Sequence, residues 1–276
     1  MEKILAAAGA CAFGCVAAER LRERMTEDGW QRARETTPGL KWLVCAAFPY
    51  GPETMTPGLL SVYARGADYH RVLEARMTAA AAELAEQYPG HRFDFYADVS
   101  PFPEVYAAAL AGLGKLGQNG LLIVPGAGSY VFLGFLATDA ELPETGGRVT
   151  PCADCGACKK ACPGGALGQT VDQSRCLSAL TQQRGQLTEE QTALVKRGGM
   201  LWGCDRCQLV CPENQSRTLP PLPEFAPLPD PTEEDLRLSD RAFRRQFAGR
   251  AFTWRGVQPL RRNSEILKED AEYDHL

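Results

Sequence analysis

The chain has 276 residues, 45% hydrophobic and 23% charged, with a formal net charge of −4. That length suits one large domain or two ordinary ones, and the composition excludes collagen-like, coiled-coil and disordered classes. There is no apolar run of about 18 residues to form a conventional membrane span. A slightly acidic chain is also not, as a whole, an electrostatic binder of nucleic acid or membranes.

Residues 3–18 superficially offer an export signal, with Lys3 followed by an Ala- and Gly-containing apolar stretch. Glu2 precedes that single basic residue, and the cysteine spacing downstream suits a reduced metal site, so the chain reads as cytoplasmic. Trp42 to Phe48, closed by Pro49, and Phe93 to Tyr96 have strand length and bounded ends. From about Leu59 to Tyr88 the chain is free of proline and rich in Ala, Leu, Met, Glu and Arg, which predicts a long helix weakened only at Gly66. Leu121–Val124 and Tyr130–Leu136, separated by Pro125-Gly126-Ala127-Gly128-Ser129, read as a buried hairpin. Strands and helices thus alternate over residues 1–150, an α/β domain. Residues 151–216 shift to cysteine, glycine and polar residues, a small cofactor domain. Residues 217–235 read as a stiff Pro-rich linker. In 236–276, eight arginines between Arg237 and Arg262 face one acid, Asp240.

Eight of the 11 cysteines fall between Cys152 and Cys211. Cys152, Cys155, Cys158 and Cys162-Pro163 spell C-x-x-C-x-x-C-x-x-x-C-P, the bacterial ferredoxin run, whose fourth cysteine serves a second cluster. The partner group is Cys204, Cys207 and Cys211-Pro212, which lacks its first cysteine, and Cys176 supplies it. This gives two 4Fe-4S clusters, one on Cys152, Cys155, Cys158 and Cys211, the other on Cys162, Cys176, Cys204 and Cys207. Paired C-x-x-C groups also bind zinc, but zinc sites do not need the three-step triplet or the C-x-x-x-C-P ending. Cys11, Cys15 and Cys45 are expected to be non-ligands. The glycines at 112, 114 and 117 follow a helix-like Ala107–Leu110 rather than a strand, so they do not make a dinucleotide loop. His70, lying on the predicted helix, reads as a core-edge polar residue rather than a metal ligand.

Several strings together resemble the epoxyqueuosine reductase family, corrinoid-dependent iron-sulfur enzymes that complete queuosine in tRNA. Tyr63 to His70 resembles R-Y-A-x-G-R-D-Y-H, and Asp98-Val99-Ser100-Pro101 with Glu104 resembles V-D-T-x-P-x-x-E. Ala111 to Asn119 is similar to A-G-L-G-x-x-G-K-N, with Gln118 in place of the lysine. Gly203 to Asn214 is similar to G-C-D-x-C-Q-x-x-C-P-x-N, and Phe243 to Phe247 and Leu260 to Asn263 to the segment that follows the ferredoxin part.

The resemblance implies an N-terminal α/β corrinoid-type domain, a bacterial-ferredoxin-like double-cluster domain and a short helical C-terminal segment. It implies a base-off cobalamin held between the α/β domain and the clusters, and cofactor-binding positions at Tyr63, Gly117, Asn119, Ser129, Ser178 and Thr181. Asp98 matches the proton donor, a role that asks for a carboxyl in a partly dry pocket with its pKa raised toward neutrality. Longer family members continue into helical repeats that grip tRNA, so the chain is expected to be a short form. The arginine segment, Arg244 and Arg245 included, is expected to replace those repeats as the tRNA contact. Its other reading is a solvated helix packed by Phe243, Phe247, Phe252 and Trp254. Electrons would come from an external donor such as flavodoxin or ferredoxin, and no membrane is involved. Two other readings stay open: a corrinoid iron-sulfur reductase of a small molecule, akin to reductive dehalogenases, and an electron carrier feeding another corrinoid protein.

Overall fold

The computed structural model of the chain describes residues 1–52, 55–56 and 58–268. It divides into two compact units. The first consists of Met1–Glu53, Tyr69–Asp154 and Glu213–Leu222, the second of Thr54–Asp68, Cys155–Pro212 and Pro223–Leu276. The breaks at 154/155 and 212/213 fall within a few residues of the compositional boundaries at 150 and 216, and each unit also draws in a distant segment of chain. The last eight residues of the expected C-terminal segment lie outside the described residues.

The first unit contains strands β1 (Ala12–Ala17), β2 (Trp42–Pro49), β3 (Phe93–Tyr96), β4 (Lys115–Leu116), β5 (Leu122–Ile123), β6 (Val131–Thr138) and β7 (Thr150–Pro151). Its main sheet has the order β1-β2-β6-β3, antiparallel at every pair. Helices α1 (Glu2–Ala7), α2 (Glu27–Thr36), α3 (Tyr69–Gln87) and α4 (Glu104–Leu110) belong to the same unit. β2 is buried almost end to end, so it reads as a continuous apolar run rather than as an alternation. Leu43, Cys45 and Ala47 share one buried cluster with Val16, Phe135, Ala137 and the alanines 107–109 and 111 at α4. On β6, Gly134 leaves room for α3, since a Cβ there would lie 3.2 Å from Met77 Cγ and 3.4 Å from a ring carbon of Phe48.

The structure differs from the sequence reading at two places in this unit, the expected hairpin and the start of the long helix. The stretch resembling an export signal is α1 and β1, with Ile4, Leu5, Cys15 and Val16 buried. Among the described residues no helix is long and apolar enough to cross a membrane. The two apolar runs around residues 121–136 do not form one hairpin: β5 pairs with β4, while β6 pairs with β2 and β3, joined only by a local Val124–Gly128 bridge. The long helix begins at Tyr69, not near 59. The preceding segment is tied down inside the second unit, where Ala67 N donates to Glu224 O and Asp68 N to Gly249 O. A Cβ at Gly66 would sit 2.6 Å from Phe225 Cα.

The second unit holds α5 (Ala157–Ala161), α6 (Leu177–Gln182), α7 (Glu189–Gly198), α8 (Arg206–Leu209), α9 (Glu233–Leu236), α10 (Asp240–Gln246) and α11 (Gln258–Lys268). α7 is bounded by a Thr188/Gln191 capping box and by Gly199 in the left-handed conformation. Leu60, Trp202, Phe243, Phe252 and Leu260 form one buried cluster, and Leu177, Leu180, Leu194, Val195 and Ile266 another. The Pro-rich stretch is not a bare linker. It contains α9 with its own capping box, and Phe225 and Leu236 bury apolar side chains that outweigh its stiffness.

The arginine segment is partly structural. Arg250 is buried and donates to the carbonyls of Pro229, Ala64 and Arg65. Arg261 donates to those of Leu236 and Leu238. Arg262 donates to the carbonyls of Leu180, Gln183 and Gly185, in the last turn of α6 and just after it. Phe243 and Phe252 pack as the solvated-helix reading expects, whereas Trp254 stays half exposed.

Candidate functional site

Asp98 sits in the loop between β3 and α4 with a backbone φ of +60°, a conformation non-glycine residues adopt rarely. Its carboxylate, being acceptor only, takes a hydrogen bond from His70 Nε2 at 3.2 Å. A second comes from the Tyr69 side chain. Both donors stand on the first turn of α3, so the string that ends in Asp-Tyr-His and the string that begins with Asp98 meet in space. The sequence placed His70 at a core edge; its observed partner is the candidate proton donor.

Asp98 is not the dry carboxyl that the sequence reading asks for. Its side chain is 56% exposed. The His70 hydrogen bond, followed by that of Tyr69, holds the carboxyl below the ordinary aspartate range, with desolvation opposing. The dry carboxyl is Glu104, at the start of α4. Burial pushes it up to about 7, and the charge of Asp98 adds to that, while hydrogen bonds from Ser100 and the Asp98 backbone oppose it. Glu104 Oε1 is buried without a hydrogen-bond partner among the described residues. Two carboxyls pushed in opposite directions side by side are a recurring acid/base arrangement.

Behind Asp98 runs a series of ring contacts that the sequence reading missed. His70 stacks on Tyr69 at 4.0 Å, Tyr69 on Phe132 at 4.3 Å and Phe132 on Tyr50 at 4.2 Å. Tyr50 meets Tyr130 edge-on at 5.7 Å, and the Arg217 guanidinium lies 4.5 Å over Tyr130. The rings come from α3, β6, the loop before β6 and the residue that follows β2, and the pairing of β2 with β6 brings the last three together. They hold α3, and hence His70 and Tyr69, in a fixed position. Each offset or edge contact adds about 0.5–1.5 kcal/mol beyond burial.

None of the 11 cysteines forms a disulfide. Cys11, Cys15 and Cys45 lie in the first unit, and burial raises all three thiols, the first two to about 11. None of the eight cysteines from 152 to 211 is fully buried. Cys152 follows β7 and donates its backbone N–H to Leu116 O. Cys158 lies in α5, with Cys162 as its C-cap, Cys176 is the N-cap of α6, and Cys207 lies in α8, which packs on α5. Burial pushes the Cys204 thiol up to about 11, and the nearby Cys176 adds to that rise. Ala166 N donates to Cys162 Sγ at 3.3 Å. Among the described residues no three His, Cys, Asp or Glu side chains close into one metal-binding group. What fits iron-sulfur ligation is the donor set, eight accessible thiols with none spent in disulfides. Asp205, between two of them, is a buried clamp: it accepts from Ser61 Oγ at 2.6 Å and Val62 N at 2.8 Å.

Residues 31–99 match the family described as "Epoxyqueuosine reductase QueG, DUF1730", and residues 151–214 the "4Fe-4S double cluster binding domain". The chain is 36% identical over 215 residues to the epoxyqueuosine reductase of Listeria monocytogenes, covering 75% of this chain and 56% of the relative. It is 33% identical over 243 residues to that of Bacillus cereus, covering 82% and 63%. The chain is similar to epoxyqueuosine reductases over most of its length. It thus spans a little over half the length of the curated relatives it matches.

Two solved epoxyqueuosine reductases share the fold with a TM-score of 0.83 over 97% of this chain and 80% of theirs. One, from Bacillus subtilis, is 27% identical and was captured with its aspartate-bearing catalytic loop swung out of the active site. The other, 25% identical, holds an epoxyqueuosine-modified stem loop of tyrosine tRNA. The remaining positions implied by resemblance to epoxyqueuosine reductases fall in both units. Gly117, Asn119 and Ser129 are in the first, where Ser129 is bonded to Asn214 through both its backbone N–H and its Oγ. Tyr63, Ser178 and Thr181 are in the second. There Tyr63 accepts from Trp202 Nε1, and buried Thr181 takes the Gly203 N–H and donates to Ser178 O. These hydroxyls therefore serve the fold directly.

Proposed function

We propose that this chain reduces epoxyqueuosine to queuosine in tRNA, consuming two electrons and two protons and releasing the epoxide oxygen as water. The observation that carries the reading is the Asp98 arrangement, a strained loop carboxylate held by His70 and Tyr69, in a chain that also carries the cysteines for two 4Fe-4S clusters. Cys152, Cys155, Cys158 and Cys211 would hold one cluster and Cys162, Cys176, Cys204 and Cys207 the other. The buried acceptor Gln118 Oε1, with no partner among the described residues, suits an amide donor, the group that fringes a corrin ring. It lies on the loop with Gly117 and Asn119. When bound, the clusters would relay single electrons from an external donor such as flavodoxin or ferredoxin, and cobalamin would supply low-potential two-electron chemistry.

The chain's own part is the proton. Asp98 is ionised at neutral pH and orients the donor edges of His70 and Tyr69, while Glu104 is about half protonated there. Glu104 thus serves as the reserve from which Asp98 Oδ is charged before it delivers a proton to the departing oxygen. Asp98 has a left-handed backbone, and the aspartate-bearing catalytic loop of one relative was captured swung out of its active site; a like movement would carry Asp98 between that supply and the substrate. On this reading the chain works in the cytoplasm, where thiols stay reduced. The deciding experiment is an anaerobic assay with cobalamin, a strong reductant and epoxyqueuosine-containing tRNA, scored by the mass of the released nucleoside. Loss of one oxygen mass is expected; an unchanged nucleoside in the presence of full cluster content refutes the reading.

A further inference from the structure

The second unit carries a cavity of about 420 Å³, within the ~300–1,000 Å³ range of ligand sites, lined among others by Arg184, Asp240, Arg244, Arg255, Gln258 and Arg261. Arg184 comes from the loop after α6, Asp240 and Arg244 from α10, and the rest from Arg255 onward into the first turn of α11. Four arginines and one carboxylate therefore line the same cavity, and that carboxylate is already engaged. Asp240 accepts from Arg244 Nε at 2.7 Å and from Val257 N at 2.9 Å. A Cβ at Gly256, where φ is +78°, would lie 1.9 Å from Asp240 Oδ1, so only glycine permits this seating.

Arg244, Arg255 and Arg261 are held in place. Arg261 is fixed by the Leu236 and Leu238 carbonyls, and Arg244 Nη2 by Trp254 O at 3.3 Å. The Arg255 guanidinium carbon lies 3.7 Å over the Trp254 ring. Arg255 Nε is buried with no hydrogen-bond partner among the described residues. Grouped cations with a buried donor left over are costly unless an anion completes them, and fixed guanidinium forks match phosphate oxygens. Beside them Trp254 keeps 51% of its surface in solvent, an unusual position for a large aromatic that has no core to fill. A phosphate site adjoining an exposed indole is the chemistry of single-stranded nucleic acid, one element for the backbone and one for a base.

We propose that this pocket binds a phosphodiester of single-stranded RNA, with the adjoining base stacked on Trp254. This deepens the tRNA reading and rests on it, and it reassigns the RNA-binding role within the arginine segment: Arg184, Arg244 and Arg255 with Trp254 do the binding, whereas Arg245 lies outside the pocket.

The test is fluorescence anisotropy of a labelled ten-nucleotide single-stranded RNA on the cluster-loaded chain under anaerobic conditions, over a series of salt concentrations. Replacing Arg184 and Arg255 together by Ala should lower the salt slope by about 0.7 for each phosphate that is no longer neutralised. Trp254→Ala should weaken binding about tenfold with the salt slope unchanged, and Trp254→Phe should restore most of the affinity. Arg245→Ala should change neither. Iron and sulfide contents report folding; if the arginine pair lowers them, Arg255→Gln alone provides the charge test. Wild-type affinity in the pocket variants overturns the proposal. So does complete displacement of the RNA by millimolar inorganic phosphate with no effect of Trp254→Ala, which would make the pocket a free-anion site. RNA binding is read independently of turnover: an inactive chain that behaves this way keeps the pocket and loses the proposed activity, and an active chain with insensitive variants does the reverse.

Discussion

Glu104→Gln isolates the buried carboxyl beside Asp98. In the native protein Glu104 titrates at about 7, against an ordinary value of 4.5, with burial as the main cause. Between those values the folded protein keeps a proton that the unfolded chain has lost. Stability therefore falls as pH rises through this window, by about 1.4 kcal/mol per pH unit. Across the whole window the cost is ~3 kcal/mol, and above pH 7 it is constant. Gln fills nearly the same volume and has no proton to lose, so its stability relative to the wild type should climb by about 2 kcal/mol between pH 5.5 and 7.5. The measurement is urea unfolding of both cluster-loaded proteins under anaerobic conditions at several pH values, followed by tryptophan fluorescence. Asp98 and His70 are the charged groups that act on Glu104, so the comparison is repeated with His70→Gln in both proteins. Parallel curves would refute a protonated Glu104 and with it the proton reserve proposed for Asp98.

Asp98→Asn keeps the side-chain shape but cannot release a proton, so single-turnover reduction of epoxyqueuosine in tRNA should slow by about 10²-fold or more with cluster content intact; near-normal turnover would remove Asp98 from the mechanism. Anaerobic reconstitution should give about eight iron and eight acid-labile sulfide per chain, and Cys176→Ala should damage one cluster and spare the other. Serine at Cys11, Cys15 or Cys45, changed singly, should leave iron content as it is; zinc without sulfide would overturn the whole ligand scheme. Gly256→Ala should destabilise the second unit by roughly 1–3 kcal/mol, read from its urea midpoint, because Asp240 must leave its seat against the backbone.

What could be read from the sequence is what depends on short spacing. The cysteine steps from Cys152 to Cys162 and from Cys204 to Cys211 are local geometry, and so is the strand character of residues 42–48 and 93–96. Asp98 is marked by its neighbours Pro101 and Glu104, a few residues away. Its electrostatic state is not, because His70 and Tyr69 are 28 and 29 residues earlier and reach it only when α3 lies beside the loop. Glu104 belongs to the same string as Asp98, and nothing in seven letters states which of two carboxyls is buried. The apolar run at residues 12–17 resembles a leader because its partner is β2, some thirty residues on. The runs at 121–124 and 130–136 resemble a hairpin because nearness in sequence is the only pairing information a sequence offers there. Eight arginines form one basic stretch on paper, and in the fold three of them turn inward to satisfy backbone carbonyls, while Arg184, more than fifty residues before Arg237, joins Arg244 and Arg255 in the pocket. Residue type and local spacing settle which atoms can ligate, titrate or stack. Burial and strand register, set by the whole chain at once, settle which of them are placed to do so.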